Sequence, residues 1–292
     1  MKSPLEHASA PANHAGATAA ELEYVPVPAF EDNYIWVVSD GHDAVAVDPG
    51  DAAPVRAYLA KRGWRLAAIL LTHHHNDHVG GVADLLSDER VPVYGPAGEA
   101  LGPLDAFVTR VKGGDAVHLD APALDFKVMD VPGHTRGHIA YFQDADSIGG
   151  ISGVGAGTPH LFCGDTLFAC GCGRLFEGTP AQMLASLDSF AALPGSTHVH
   201  CAHEYTLSNI RFALACDPDN AALQNWSREA TALRERGVPT LPTTIAHERA
   251  VNPFLRADNP AVQATLAEAL HETVPDRLAA FTLMREWKNR FR

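Results

Sequence analysis

The sequence predicts a layered α/β domain followed by a smaller helical domain. The chain has 292 residues, which at roughly 100 to 200 residues per domain allows about two domains. Apolar residues make up 46 % and charged residues 20 %, a balance that excludes disordered, collagen-like and coiled-coil chains. Strand-like apolar runs alternate with helical patterns up to residue 203, and beyond it every pattern is helical.

The first part of the chain alternates strands and helices. Residues 33–39 and 44–48 are apolar runs on either side of an Asp-Gly turn, which predicts a β-hairpin. Residues 51–62 show helical spacing and end at Gly63, a suitable C-terminal cap. A strand at 66–71 and a helix at 79–87 follow, and further strands are predicted at residues 91–94, 116–119, 124–130, 139–142 and 161–163.

The later segments define the domain limits. Residues 144–159 are rich in Gly and predict a surface insertion, whereas Thr179 can cap a helix over 180–193 that precedes a strand at 198–201. Helices are then expected at residues 209–216, 220–236, 261–270 and 277–291, with no further strand. We therefore expect a flexible tail at 1–20, a metal-binding domain at 21–203 and a helical domain at 204–292.

The net charge argues against several classes of partner. Lys and Arg total 22 against 35 for Asp and Glu, a net charge of −13, which disfavours binding to nucleic acid. No apolar stretch approaches the roughly 18 residues that span a bilayer, and residues 1–20 lack the basic start and apolar core of a secretory signal. Five cysteines form no disulfide framework, so we expect a cytoplasmic protein, monomeric and without membrane contact.

The loop after the strand at 66–71 carries the strongest chemical signal. It reads Thr-His-His-His-Asn-Asp-His at residues 72–78, and imidazole with carboxylate suits zinc, iron or manganese. In an extended segment His73 and His75 point to one side and His74 to the other, while Asp77 and His78 lie one turn further on, which favours two metals over one. A chance histidine cluster on a solvated loop is the alternative.

Three further candidates each follow an apolar strand: His134, Asp165 and His203. Each one alone is weak, because an isolated histidine at a strand end more often makes a structural hydrogen bond. As a set at successive strand ends they complete a group of seven candidate ligands.

Together these motifs resemble the metallo-β-lactamase superfamily, and within it the hydroxyacylglutathione hydrolase family, also called glyoxalase II. The resemblance rests on the His-x-His-x-Asp-His loop, Gly-His-Thr at 133–135, Gly-Asp-Thr-Leu-Phe at 164–168 and His-Glu-Tyr-Thr at 203–206. It extends over about residues 22–292 through the segments at 30–34, 171–174 and 252–256. It implies an αββα sandwich followed by a smaller helical substrate-binding domain.

The resemblance also implies a dinuclear centre, with zinc as the first choice and iron or manganese as alternatives. One ion would be held by His73, His75 and His134, the other by Asp77, His78 and His203, with Asp165 as the bridge. Two such ions lower the pKa of a shared water to about 7 or below. The implied reaction converts S-D-lactoylglutathione and water to glutathione and D-lactate, the second step of methylglyoxal detoxification, with Asp77 and Asp165 as catalytic residues.

An acidic protein needs a local basic patch to hold the anionic glutathione moiety. Arg285 and Lys288 are three apart on the last predicted helix and share a face, although spacing alone favours an ordinary solvated face. The resemblance adds Arg174 and Tyr205 as substrate contacts, together with Phe176, which stands where many relatives have Tyr. Cys170 and Cys172 form a C-x-C pair, which we expect to be small packing residues rather than a metal or redox pair.

Other functions remain open from the sequence. The same fold supports lactonases, β-lactamases, phosphodiesterases and persulfide dioxygenases, and a non-catalytic metal-binding module or an RNA-processing factor is a further alternative. A Ser or Cys hydrolase with Asp77 as base is disfavoured because no Gly-x-Ser-x-Gly motif is present. The helical domain with its basic pair favours the glutathione thioester over a β-lactam.

Overall fold

The computed structural model describes residues 22–145 and 157–291, so the predicted tail and most of the Gly-rich insertion lie outside the described residues. The strands are β1 (Glu23–Ala29), β2 (Asn33–Ser39), β3 (Asp43–Val47), β4 (Arg65–Leu70), β5 (Val93–Pro96), β6 (Val108–Val111), β7 (Ala116–Asp120), β8 (Ala123–Asp130), β9 (Ile139–Gln143), β10 (His160–Gly164), β11 (Leu167–Phe168), β12 (Gly171–Cys172), β13 (His198–Cys201) and β14 (Thr243–Thr244). The helices are α1 (Ala52–Arg62), α2 (Asn76–Val79), α3 (Val82–Asp88), α4 (Pro180–Ala191), α5 (Thr206–Cys216), α6 (Ala221–Glu235), α7 (Ile245–Val251), α8 (Pro260–Leu270) and α9 (Arg277–Arg290), with a 3-10 helix at Gly102–Ala106.

Two six-stranded sheets form the centre of the first domain. The first sheet has the order β1-β2-β3-β4-β5-β6 and the second β14-β13-β10-β9-β8-β7, and β11 and β12 form a separate hairpin. Side chains from both sheets share one buried cluster, to which Trp36 and Phe162 contribute. A second cluster joins the outer face of the first sheet to α1 and α3, with Val55 and Leu85 among its members. The predicted layered α/β class and its αββα arrangement are confirmed.

Local sequence signals account for the helix ends. The Asp51 side chain accepts a hydrogen bond from the backbone of Ala53 to begin α1, and Gly63 ends that helix in the left-handed region at φ 69°. Thr179 begins α4 with a reciprocal capping box to Gln182. The predictions for these two helices are therefore confirmed with their physical causes.

Some elements differ from the prediction. The strands β1 and β6 were not predicted, and both lie at the edges of the first sheet, where β1 tolerates Pro26 and Pro28. The helix predicted at 79–87 corresponds to α3, which begins three residues later at Val82, and the short helix α2 before it was not predicted. Gly81 lies between these helices and against the start of α1, where an added Cβ would be 2.5 Å from the Ala52 nitrogen, so only glycine fits there.

The C-terminal part consists of α5 to α9 and one short strand. We expected no strand after residue 201, but β14 pairs antiparallel with β13, matching Thr243 to Val199. The strand escapes sequence detection because it has only two residues, and the helix α7 after it was also not predicted. The second sheet therefore takes its last strand from beyond the predicted boundary near residue 204. Within the described ranges, no helix has the length and apolar character needed to span a membrane.

Candidate metal centre and substrate cleft

The seven predicted ligands meet at one end of the sandwich. His73, His75, Asp77 and His78 follow β4, whereas His134 follows β8, Asp165 follows β10 and His203 follows β13. Because β10 and β13 are parallel, their carboxyl ends bring Asp165 and His203 to the same edge of the second sheet. The loop after β4 supplies its four side chains from the first sheet.

Three histidines form the first group. The Nε2 atom of His73 lies 3.1 Å from Nδ1 of His75, which lies 3.0 Å from Nε2 of His134. Nitrogens bound at 2.0–2.1 Å to one tetrahedral zinc are about 3.3 Å apart, so this spacing fits three ligands facing a single ion. These three side chains could therefore hold one metal ion, as predicted.

The second group combines a carboxylate with two histidines. Asp77 Oδ2 lies 3.6 Å from Nε2 of His78 and 3.5 Å from Nε2 of His203. These three side chains also could hold a metal ion. The amide of Asn33 donates to the same Asp77 oxygen at 3.1 Å, which fixes the orientation of the carboxylate.

Asp165 lies between the two groups and turns one oxygen toward each. Its Oδ1 atom is 3.4 Å from Nε2 of His78 and 3.3 Å from Nε2 of His203, and its Oδ2 atom is 3.4 Å from Nε2 of His134. Both Asp165 Oδ1 and His78 Nε2 are buried without a hydrogen-bond partner. Buried polar atoms are rarely left without a partner, so this convergence fits a pair of cations between the two groups.

The outward nitrogens of these histidines are held by acceptors that the sequence analysis did not identify. Nδ1 of His78 lies 3.0 Å from a carboxylate oxygen of Asp48, and Nδ1 of His203 lies 2.9 Å from one of Asp32. Nδ1 of His134 is 2.9 Å from the carbonyl oxygen of Arg174. Such partners fix the ring orientation and tautomer of ligating histidines.

Asp48 supports the centre rather than joining it. It lies near both His73 and His78 and could by distance alone join a metal group. Its two oxygens, however, accept hydrogen bonds from the backbone and the hydroxyl of Thr72 and face His78 Nδ1. The sequence signals that could have found these acceptors are the acidic end of the run at 44–48 and Asp32 in the segment 30–34.

The two groups differ in electrostatics. Burial lowers the pKa values of His73, His75 and His134, so these imidazoles stay neutral and keep a free lone pair. Burial also opposes charge on His78, but Asp165 and Asp48 outweigh it and raise its pKa to about 9. Burial likewise disfavours the charged form of Asp165, yet the neighbouring histidines, His78 first, hold the pKa of its carboxyl well below the usual range.

His74 points away from the centre, as its place in the extended segment predicts. Its Nδ1 atom is 2.8 Å from Glu99, a nearly buried carboxylate, and its Nε2 atom is 3.6 Å from Glu177. This side chain therefore links the metal loop to two neighbouring loops instead of facing an ion.

A cleft of about 570 Å³ opens next to the centre. All five predicted substrate contacts line it: Arg174, Phe176, Tyr205, Arg285 and Lys288. Five of the seven candidate ligands also reach its wall: His75, Asp77, His134, Asp165 and His203. The structure therefore places the predicted metal and substrate residues around one space.

The aromatic contacts connect the cleft to the metal groups. Phe176 is 63 % exposed, and its ring meets His75 and His134 edge-on with centroids 5.6 and 5.3 Å apart. Tyr205 stacks on His203 with centroids 4.7 Å apart. One aromatic side chain thus flanks each group.

The predicted basic pair on α9, Arg285 and Lys288, is not on a solvated face. Arg285 is 4 % exposed and donates from NH1 to the Cys172 carbonyl oxygen at 2.7 Å. Lys288 donates to the carbonyl oxygen of Ser208 at 3.1 Å, and burial with the nearby charge of Arg285 lowers its pKa to about 8. Arg285 therefore lines the cleft while part of its guanidinium is hydrogen-bonded to the protein backbone.

The cysteines behave as expected. All five are free and buried, including Cys170 and Cys172. Burial raises the pKa of both thiols, which keeps them protonated and poor as metal ligands.

The fold and the paired histidine and carboxylate groups define a class of protein. Residues 29–203 match the Metallo-beta-lactamase superfamily, and residues 204–291 match the hydroxyacylglutathione hydrolase C-terminus. The chain belongs to the hydroxyacylglutathione hydrolase family within that superfamily. It is 56 % identical to the hydroxyacylglutathione hydrolase of Cupriavidus taiwanensis over 93 % of this chain and 100 % of the relative.

Two further proteins are similar to this chain. The hydroxyacylglutathione hydrolase of Cupriavidus metallidurans is 55 % identical over 93 % of this chain and 100 % of its own length. The crystal structure of TTHA1623 in a di-iron-bound form aligns with a TM-score of 0.52 and 26 % identity, covering 80 % of this chain and 99 % of that one.

Proposed function

We propose that this chain hydrolyses S-(2-hydroxyacyl)glutathione thioesters, converting S-D-lactoylglutathione and water to glutathione and D-lactate. The observation that carries the proposal is the arrangement of Asp165, with one oxygen toward each three-ligand group, beside a cleft lined by Arg174, Arg285 and Lys288. The two Cupriavidus relatives, which this chain matches over their full length, are named hydroxyacylglutathione hydrolase.

The residues present fit two divalent ions. His73, His75 and His134 would hold one ion, Asp77, His78 and His203 the other, and Asp165 would bridge them. When bound, such a pair lowers the pKa of water to about 7 and polarises the thioester carbonyl. We propose zinc; the di-iron form of TTHA1623 makes iron the first alternative, because sites of histidine and carboxylate accept several metals.

The carboxylates of Asp165 and Asp77 have different roles. Asp165 sets the spacing and the charge between the groups, and it is buried, so water does not screen it. Asp77 reaches the cleft and is oriented by Asn33, so it can accept a proton from the attacking water. No serine or cysteine nucleophile is needed for this reaction.

The cations of the cleft would hold the glutathione moiety. Lys288 and the exposed guanidinium of Arg174 can pair with its carboxylates, which are the anionic groups of this substrate. Tyr205 and Phe176 would contact the substrate near the metal groups, where Phe176 offers an apolar ring without a hydroxyl. We therefore propose that the basic side chains bind the glutathione carboxylates and that the aromatic side chains determine the shape of the cleft.

The test is hydrolysis of S-D-lactoylglutathione by purified protein of known metal content. Loss of the thioester absorbance and release of free thiol should occur together, stop after chelation and return with added metal. The same acyl group on N-acetylcysteamine is the matched control, and it should react with a much higher KM because it lacks the glutathione carboxylates. Absence of thiol release from protein with both metals bound would refute the proposal.

We further propose that the protein is a cytoplasmic monomer. The reduced state of five buried cysteines suits a reducing compartment. Light scattering coupled to gel filtration would test the state, since a mass above the 31.2 kDa of one chain would contradict a monomer.

A further inference from the structure

The hairpin of β11 and β12 lies directly after Asp165 and is held by side chains of the C-terminal domain. Asn252 donates from its amide to the carbonyl oxygens of Phe168 at 3.2 Å and Gly171 at 2.9 Å. Glu248 accepts from the backbone nitrogen of Cys170 at 2.8 Å.

Two more side chains complete this hold on the backbone. The amide of Asn209 donates to the carbonyl oxygen of Ala169 at 3.0 Å, and Arg285 donates to that of Cys172. Successive backbone groups from Phe168 to Cys172 are thus bound by side chains from beyond residue 203. All four of these side chains are buried, so the contacts are not screened by water.

The end of this hairpin touches the metal centre. Gly173 follows it, and a Cβ on Gly173 would lie 1.9 Å from the Asp165 carbonyl oxygen and 3.2 Å from Nδ1 of His134. The next residue, Arg174, provides the carbonyl oxygen that faces His134 Nδ1. A displacement of the hairpin would therefore shift Asp165 and His134 directly, because Gly173 and Arg174 contact them.

Glu248 is the central side chain of this network and has no part in the proposed chemistry. It is fully buried on α7, and its second oxygen accepts from the hydroxyl of Thr243 at 2.8 Å. It also accepts from the Asn252 amide at 2.9 Å, so it aligns the donor that binds Phe168 and Gly171. Its contacts join the hairpin to β14 and hence to β13, the strand that leads to His203.

We propose that Glu248 and Asn252 are positioning residues for the metal centre: the C-terminal domain docks the hairpin after Asp165 and thereby sets the hold on the two metal ions. This inference rests on the proposed dinuclear site. The helical domain then has a structural task at the metal centre in addition to lining the substrate cleft.

The test compares two substitutions at one position. Glu248→Gln keeps the hydrogen bonds, because an amide oxygen can accept from Cys170 and Asn252 while the amide nitrogen donates to Thr243. Glu248→Leu has a similar volume but leaves the Cys170 nitrogen buried without an acceptor, which costs the desolvation of that group. Gln263→Ala serves as the control, since it removes a hydrogen bond from the Gln263 amide on α8 to the Ala257 carbonyl oxygen, outside this network.

The readout is metal binding, measured well below the unfolding temperature of each variant. Competition with a chromophoric zinc chelator gives the dissociation constants, and the visible spectrum of the cobalt-substituted protein reports the ligand geometry. We expect Glu248→Leu to weaken zinc binding about tenfold or more, the size of effects seen for outer partners of metal ligands, and to alter the cobalt spectrum. Glu248→Gln and Gln263→Ala should both stay within about twofold of the parent protein on that scale.

Unchanged zinc affinity and cobalt spectrum in Glu248→Leu would overturn the inference. If that variant does not fold, Asn252→Ala is measured in the same way, and parent-like zinc binding by it would be equally fatal. Loss of zinc affinity in either variant supports the inference even if the parent protein fails to hydrolyse the thioester, because the readout contains no substrate. Failure of the proposed function and failure of this inference are therefore separable.

Discussion

Asp165 is the residue on which both metal groups depend. Its two oxygens face different histidines, and the positive charge favoured on His78 and His203 makes the ionised carboxylate more stable, which agrees with its lowered pKa. Its residue type and its place after a strand were sufficient to predict this side chain as a metal ligand, whereas its role as the bridge was implied only by the family resemblance. The orienting acceptors Asp48 and Asp32 were not predicted, because an acidic residue beside a strand does not by itself show which histidine it faces.

Substitution of Asp165 by Asn should cost metal and activity together. An amide keeps one acceptor oxygen but replaces the other with a nitrogen that cannot bind a cation, so one metal group loses its shared ligand. We expect fewer than two metals per chain and a fall in kcat of at least about a hundredfold, beyond what outer partners usually cost. Metal analysis and steady-state kinetics measure both, with Asp120→Asn, a fully exposed side chain, as control. A variant with two metals and normal turnover would remove the bridging assignment.

Lys288 should give the cleft a pH dependence. Its pKa is lowered to about 8, so its charge is complete at lower pH and is lost as the pH rises through that value. The groups near it are Arg285 and Arg211, which favour deprotonation, and the thiols of Cys172 and Cys216. Binding of an anionic substrate should therefore weaken above pH 8, and kcat/KM, which reports the free enzyme, should fall through that pKa.

The variant Lys288→Arg tests whether the fall in kcat/KM comes from deprotonation of Lys288. The guanidinium stays charged, so kcat/KM should no longer fall near the lysine pKa, whereas Lys288→Met should raise KM about tenfold at neutral pH with kcat nearly unchanged. The measurement is a pH series of initial rates corrected for uncatalysed thioester hydrolysis. The same fall with pH in the Arg variant would assign the titration to another group.

Among the elements, α7 joins the two parts of the chain. It carries Glu248 and ends just before Asn252, yet it was not predicted, and neither was β14 beside it. Longer elements such as α1 and α4 were predicted because caps and helical spacing are local properties. The short elements form only through tertiary contacts. The strand β14 pairs with β13, and the β11–β12 hairpin is hydrogen-bonded by buried side chains of the C-terminal domain. Such contacts leave no periodicity in the sequence.

Glu248 should make stability depend on pH. Burial raises its pKa from 4.5 to about 7, so the folded state holds the proton more tightly than the unfolded state. The resulting stabilisation is complete below the unfolded pKa and is lost as the pH rises through about 7. Its neighbours are the Cys170 nitrogen, Thr243 and Asn252, none of them a cation.

Glu248→Gln removes this titration while keeping the contacts. Urea unfolding of both proteins should show the parent losing about 1 kcal/mol relative to the variant between about pH 6 and about pH 8.5. Metal contributions cancel in this difference because both proteins keep their ligands. Parallel stability curves over that range would show that Glu248 does not titrate there.

At the scale of the whole molecule, the proposed metal ligands come from both sheets. The loop after β4 belongs to the first sheet, whereas His134, Asp165 and His203 follow strands of the second. The same end of the sandwich meets the C-terminal domain through the β11–β12 hairpin. Ions bound there would hold three parts of the fold together, so metal binding and global stability should be linked.

Metal removal should therefore lower the unfolding temperature of the whole chain in one step. An ion that binds only the folded state, present at about a hundred times its dissociation constant, stabilises by about 2.7 kcal/mol. Two such ions give about 5 kcal/mol, which for a chain of this size corresponds to a shift on the order of 10 °C. Calorimetry before and after chelation, with metal content measured on the same samples, tests this shift. Asp165→Asn should show a smaller shift because it starts with less metal, whereas an unchanged unfolding temperature in fully metal-free parent protein would show that the ions do not link the sheets.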